Sequence, residues 1–545
     1  MGNLLIKKRR VIEVEVKAIL FDTRSIQQYI FSGNKLKTNI GASYLVDRVF
    51  DDVLLNVLRD KFDNEADLTS WKEDRSENFD WADIKAAKIA YIGGGNALVL
   101  LAESVEDTDI EGIVEDFTKR LLVEYPGLKT GAAIGRLSLG ENGSLRKGQG
   151  DTENCLTKLV HQLKAQQNRV FPQVTIPYSG LTLSCELDGE NATHYSKKLG
   201  RFISAESARK LSIEEEAEQA LLSKLNQVWE AKQRLSEEYK FPSEIEKLGM
   251  METEDYFAIV HVDGNNMGKK FANCETLTQR KNKSLKVSEV TARAFCRLVE
   301  SILPELEIYE KGKIIKLAKK KGTTYLPVRP LVLGGDDMTF VCPAKLAFRY
   351  AERVMDFMKA DADSIDTCAG IAILDSSYPF FRGYVLAEQL CDAAKKKMRM
   401  EKEEDTCWMD YVILHGEQAP TLEQIRTQEY TAYNGNSLHF GPYRMDADTS
   451  QARSFQNLKQ AVYEMNYGDK KLPMGKIKEL RDIITQDEGK REEFIAQLKN
   501  MKYTLPKISV WEDFEKTLWK NGETPYVDVI ELIDFYVPEE VTNRG

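Results

Sequence analysis

Asp336 and Asp337 follow two glycines in LVLGGDDMTFVCP (331–343), between short apolar, β-prone runs. Glycine pairs suit the positive-φ positions of tight hairpin turns, so 331–333 and 338–341 read as antiparallel strands with the two carboxylates at their junction. Like charges held that close repel unless a cation lies between them or water dilutes them. The stretch is therefore either a solvated surface turn or half of a divalent-metal site, and the second reading needs a third carboxylate. Asp263 is the candidate, because 257–262 reads as a buried strand that ends at Asp263-Gly264. Hard oxygen ligands without a nearby cysteine pair favour Mg²⁺ or Mn²⁺ over zinc. Two such ions ~3.5–4 Å apart activate a ribose hydroxyl, bridge a triphosphate and stabilise departing pyrophosphate, so the expected chemistry is nucleotidyl transfer. Gly334 and Gly335 leave the backbone open to close approach by a nucleotide.

The elements that must position these residues occur twice. The second copy runs strand (257–262), helical stretch (SLKVSEVTARAFCRLVESIL), lysine-rich loop, GGDD hairpin, strand (368–374) and the lysine-bearing helix VLAEQLCDAAKKKMRM. The first runs VKAILFD ending in Asp22, ASYLVDRVFDDVLLNVL, the hairpin IAYIGGGNALVLL, GAAIG (131–135) and LTKLVHQLKAQQNR. Asp22 to Gly93 is 93 − 22 = 71 positions, and Asp263 to Gly334 is 334 − 263 = 71. One α+β unit used twice, a sheet with helices on one face, accounts for both. Between the copies, 213–240 is a charged amphipathic segment read as a helical linker. Beyond about 430, FQNLKQAVYEM, MGKIKELRDIITQ, KREEFIAQLKNM and VDVIELIDFYV read as helices of a separate domain.

The 545 residues are too many for one core. No apolar run reaches the ~18 residues of a membrane span, and the opening KKRR followed by VIEVEV lacks the core of a signal peptide. Gly2 is present, but Ile6 stands where a myristoylation signal wants Ser or Thr. A soluble cytoplasmic protein is expected. Eight scattered cysteines with no C-x-x-C pair suggest neither a zinc ribbon nor a disulfide framework. The net charge of −10 disfavours a chain that coats itself with nucleic acid unaided, so any polynucleotide contact is local or supplied by partners.

The ordered set SIQQYIFSGNKLKTNIGASYLVD, YIGGGN, VDGNNMGK, RPLVLGGDDMTFV, LAEQLCDAAKKK, HFGPYRM and LPMGKIKEL, spread over about 15–500, resembles the large, polymerase-like subunit of type III CRISPR effector complexes. The resemblance implies an α+β chain with two ferredoxin-like Palm domains facing each other. Their expected bounds are 1–185 for a non-catalytic first Palm, 186–250 for a helical linker, 251–415 for the catalytic Palm and 416–545 for a C-terminal helical domain. It implies conversion of ATP to cyclic oligoadenylate, with two Mg²⁺ or Mn²⁺ ions, in a complex with other type III subunits, CRISPR RNA and target RNA. Asp263, Asp336 and Asp337 are its implied catalytic metal ligands. Gly264, Gly334, Gly335, Lys395 and Lys396 are implied at the nucleotide, and Ser43, Gly94, Gly95 and Asn96 at a second nucleotide in the first copy.

An amide replaces a metal-binding carboxylate poorly, so the GGGN copy either holds the acceptor nucleotide or is kept only for packing. Lys396, Lys397 and Arg399 form either a binding surface or a solvated helical face, and the lysines of 311–322 either gather triphosphate or RNA or are a solvated loop. His261 shares a strand side with Asp263 and is read as a neutral structural side chain, with contact to nucleotide the alternative. The HD nuclease motif and inter-Palm cysteines often seen in the family are missing, so DNase activity is not expected. Asn265 stands where relatives often carry Asp. Two other functions remain open: a free-standing cyclase or synthetase joining AMP to another acceptor, and a non-catalytic scaffold.

Overall fold

The structure is a computed structural model describing residues 14–145, 153–168, 180–229, 235–251, 256–403, 405–414, 421–469 and 471–538. The basic opening, Gly2 and residues 230–234 of the linker segment lie outside these. The chain divides into two compact units, Met1–Leu221 with Asn266–Glu289, and Leu222–Asn265 with Val290–Gly545.

In the first unit the strands are β1 (Val14–Arg24), β2 (Ala87–Gly93), β3 (Asn96–Leu101) and β4 (Lys129–Leu139). They lie in the order β2-β3-β1-β4, with a short strand, Ala66–Asp67, on the outer edge of β2. Between β1 and β2 run α1 (Ile26–Phe31) and α2 (Leu36–Val49), the latter continuing through a π-helical turn at Phe50–Leu54 into Leu55–Phe62. Helix α3 (Asp107–Glu124) links β3 to β4, and α4 (Cys155–Asn168) packs on β4. The apolar residues of β1 from Ala18 to Phe21 are buried, and Phe21 packs against Phe50 and Phe117 from the helices.

The second unit repeats the plan. Strands β5 (Tyr256–Gly264), β6 (Arg329–Gly334), β7 (Asp337–Pro343) and β8 (Thr367–Asp375) lie in the order β6-β7-β5-β8. This βαββαβ order is ferredoxin-like in both units. Helices α5 (Met267–Ala272) and α6 (Leu277–Ile302) lie between β5 and β6 in the chain, residues 277–289 of α6 counting with the first unit. Helix α7 (Ala347–Lys359) joins β7 to β8, and α8 (Phe380–Met400) follows β8. At Gly370 a Cβ would stand 2.0 Å from the Ala387 carbonyl oxygen, so α8 rests directly on the backbone of β8. The strand β9 (Trp408–Ile413) then adds parallel to β8, and Tyr443–Arg444 pairs with β9.

The copies agree in register. Asp22 and Asp263 are 263 − 22 = 241 positions apart, and the same offset maps α1 onto α5, residue for residue, and the start of α2 onto the start of α6. It also maps the irregularity between Ile89 and Tyr91 onto that between Pro330 and Val332, and left-handed Ser25 (φ 52°) onto left-handed Asn266 (φ 58°).

Each compact unit spans parts of more than one of the four expected segments. Residues 186–250 divide between the two, because a lone amphipathic helix has no core of its own and must bury its stripe on a neighbour. Helix Ala205–Ser212 packs on α2, where Gly41 lets the Lys210 backbone approach. The four expected C-terminal helices are present at Phe455–Asn466, Met474–Ile484, Glu488–Asn500 and Tyr526–Phe535, but they belong to the second unit. All eight cysteines are free thiols, and among the described residues no helix is long and apolar enough to cross a membrane.

Candidate active site

The second hairpin turns at Gly335 and Asp336, with Gly334 paired to Asp337. Gly335 has φ +60°, which a side chain opposes, and the space above both glycines is open. The turn is braced from behind: Thr291 Oγ1 donates to the Gly335 carbonyl at 2.6 Å, and Lys224 Nζ to the Leu333 carbonyl at 2.6 Å. Neither brace is visible from the motif itself.

Asp263 sits one residue past the Met338–Val262 pair, at the end of β5, and so reaches the hairpin carboxylates. Burial, then the charge of Asp263, then that of Asp337 push the Asp336 carboxyl up to about 7. Asp263 also shares a hydrogen bond with Asp336. Lys395 on α8 forms an ion pair with Asp263 and reaches the Gly264 carbonyl at 3.4 Å. Burial lowers the Lys395 ammonium, but Asp263 outweighs that and holds it above its ordinary value. Lys395 is thus engaged by a carboxylate, whereas the family resemblance places it on triphosphate. Lys396 is exposed, and Lys397 pairs with Glu401 at 2.7 Å.

His261 is buried, 3.0 Å from Thr339 Oγ1 and 3.3 Å from Asp337 Oδ1, and meets Tyr384 edge-on. Burial lowers its pKa, so it is a neutral ring lying beside Asp337. Glu388 on α8 joins this acidic group; burial raises its carboxyl, with Asp392 and Asp263 adding to the rise. Asn265 is buried and donates to the Thr406 carbonyl at 3.0 Å, fastening the loop after β5.

Burial together with neighbouring carboxylates raises the Asp336 carboxyl, and a hard divalent cation suits that acidic donor set. Among the described residues no three His, Cys, Asp or Glu side chains already stand as a metal cage. The residues fit the cation in chemistry, with Asp263, Asp336 and Asp337 as those that would hold it.

The first hairpin differs in backbone as well as sequence. Gly94 (φ +60°) and Gly95 (φ +77°) both turn left-handed, and a Cβ on Gly95 would stand 2.3 Å from Ile26 Cδ1. Gly95 and Asn96 occupy the places of Asp336 and Asp337. Asn96 Nδ2 folds back toward the Gly94 carbonyl at 3.4 Å. Asp22 pairs across the sheet with Asn96, and its carboxylate accepts from Gln167 Nε2 at 2.9 Å, so Gln167 stands where the second copy has Lys395. Burial raises the Asp22 carboxyl against that hydrogen bond. The serine that approaches Gly93 is Ser284, 2.8 Å from where a Cβ would be. Ser43 is half-buried on α2, 284 − 43 = 241 positions earlier. Applying that spacing to Ser43 identifies Ser284 from the sequence.

Residues 256–404 match the model of the Cas10/Cmr2 second palm domain. Among solved structures, a Csm1–Csm4 cassette in complex with cA4 is similar over 96% of this chain and 70% of that one, with 11% identity and a TM-score of 0.53. The cassette with pppApA aligns over 95% and 69% at 12% identity and TM-score 0.52. With one ATP the values are 95%, 70%, 12% and 0.51. These are likenesses of fold. No curated protein matches the chain.

Proposed function

We propose that this chain, whose residues 256–404 form a Cas10-like second palm domain, is a nucleotidyltransferase that converts ATP to cyclic oligoadenylate as the signalling subunit of a type III CRISPR complex. The observation that carries this is the Asp263–Asp336–Asp337 cluster beneath an open glycine turn, with the Asp336 carboxyl raised to about 7 by burial first and by the neighbouring carboxylates second. Solved neighbours are Csm1 bound to Csm4 with nucleotides or cyclic products, which supports adenine nucleotides as ligands and a second protein as partner.

Bound Mg²⁺ or Mn²⁺ would supply the Lewis acidity for triphosphate and leaving group. The protein's own share is positioning. Gly334 and Gly335 admit the nucleotide to the backbone, and Thr291 and Lys224 hold the turn still. Lys395 neutralises Asp263 while the cluster waits, and stands ready to meet phosphate when Asp263 takes another partner. The first hairpin, with one carboxylate and two amides, holds the acceptor nucleotide.

The test is Asp336→Ala with Asp337→Ala, incubated with ATP and Mg²⁺ or Mn²⁺ and read by mass spectrometry. Oligoadenylate formation should vanish while circular dichroism stays native, since the pair lies at a turn and supports no core. A folded double variant that makes product at near the parent rate removes the carboxylate assignment.

A further inference from the structure

Away from the hairpin, the second unit buries a group of charges that the proposed reaction does not use. His439, which opens the HFGPYRM stretch, stands between two buried carboxylates: Nε2 is 2.7 Å from Asp410 Oδ1 and Nδ1 is 3.1 Å from Asp528 Oδ1. Asp410 belongs to β9, on the far side of β8 from the hairpin, and Asp528 to the C-terminal helix Tyr526–Phe535. Both acids have further donors. Asp528 accepts from the backbone N–H of Phe440 at 2.9 Å, from that of Gly441 at 3.2 Å and from the Tyr443 hydroxyl. Asp410 accepts from the Arg426 guanidinium at 3.1 Å and from the Tyr411 N–H at 2.9 Å. Carboxyls that accept so many donors are ionised. A neutral imidazole has one N–H and would turn its lone pair on one of them, so the geometry requires the imidazolium. Burial and Arg426 lower the His439 pKa, but Asp528 and Asp410 outweigh them and hold it above its ordinary value.

The ring is closely seated. A Cβ on Gly441 would stand 2.6 Å from Nε2, and the Tyr411 and Tyr430 rings meet it edge-on at 5.6 and 5.8 Å. Three more charged groups lie around it. Arg426 comes from the helix Leu422–Gln428, and Arg453 reaches the Gly441 carbonyl at 3.3 Å. Glu531, on the same helix as Asp528, accepts from the Tyr430 hydroxyl at 2.9 Å and lies 3.3 Å from Arg481. Burial, then the charge of Asp528, push the Glu531 carboxyl up to about 7. Lysine or arginine at 439 would stay charged at any ordinary pH, whereas histidine makes the joint depend on one proton. Without that proton two buried carboxylates lose a shared partner, which is strongly unfavourable.

We propose that His439 is a proton-operated latch: as imidazolium it fastens the C-terminal helix to β9, and loss of its proton releases that helix from the sheet. A raised histidine contributes stability that is fully present below the unfolded value and lost as pH rises through the folded one, so the latch opens on the alkaline side. The full chain labelled with ¹⁵N-histidine is followed by NMR from about pH 6 to about pH 10. One imidazole should stay protonated at both nitrogens near about pH 8, where an ordinary histidine is neutral, and its signals should be missing from His439→Gln. Should that variant not fold, removing the other four of the five histidines assigns the signal by elimination. Hydrogen exchange of 526–535, corrected for its intrinsic pH dependence, should quicken about tenfold or more as this imidazole titrates. His439→Gln should exchange fast at every pH. Glu531 and Asp336 also have raised carboxyls, so Glu531→Gln and Asp336→Asn are measured alongside and should keep the transition. A His439 ring that is neutral at pH 7 overturns the proposal. So does exchange at 526–535 that ignores the ring's titration, or a transition abolished by either carboxyl variant.

Discussion

Asp336 shows what a single carboxyl contributes when its neighbours are also acids. Its pKa is about 7 in the folded chain against roughly 3.9 unfolded. A raised carboxyl contributes stability that is fully present below the unfolded value and lost as pH rises through the folded one. Asp336→Asn should therefore be no more stable than the parent near pH 4, and more stable above pH 7, by on the order of 2–4 kcal/mol. Chemical denaturation in chelator across that range measures it; a pH-independent difference would remove the coupling. The acidic residues were legible in sequence because strand ends and glycine turns announce themselves. Gln167 and Thr291 were not, since each arrives from a helix remote in sequence and belongs to no local pattern.

At the scale of elements, the turn geometry bars the first hairpin from regaining the second's chemistry. Gly95 combines φ +77° with Ile26 at 2.3 Å from any Cβ, whereas Asp336 avoids the left-handed region. Gly95→Asp with Asn96→Asp should thus lower the melting temperature and leave oligoadenylate synthesis by an Asp336→Ala, Asp337→Ala chain at zero. Restored synthesis would show that the backbone is no barrier. Gly370→Ala probes the other support, because its Cβ would push α8, and with it Lys395, off the sheet. A loss of several kcal/mol in stability and most of the activity is expected; a near-neutral effect in denaturation and turnover would mean that α8 adjusts freely. The paired strands and lysine-bearing helices were readable from apolar runs and turn residues. The π-helical turn and the parallel partnership of β9 with β8 were not, since backbone hydrogen-bond choice and strand neighbours are settled by tertiary packing.

For the whole molecule, the chain carries ten more acidic than basic residues, so polynucleotide gains little from its long-range field. On the proposed reading, two bound nucleotides must be aligned for in-line attack, and small misplacement costs ~100-fold in rate. The purified chain should bind ATP yet turn over slowly, and its native assembly should raise product formation by that order. Equal rates for the chain alone, with RNA and in assembly would favour a free-standing synthetase. That residues 266–289 count with the first unit was not legible, because they follow β5 in the chain and no local pattern announces partners so remote in sequence.

The constant offset between the copies has a consequence for their history. From Ser25 to Asn96 and from Asn266 to Asp337, strand ends, left-handed residues, helix starts, the bulge and the turn keep step, although nearly every side chain has changed. Substitution has been accepted throughout these stretches while net insertion and deletion have not, including in connections where an extra residue costs little conformational entropy. Length, more than composition, is what descent has preserved here.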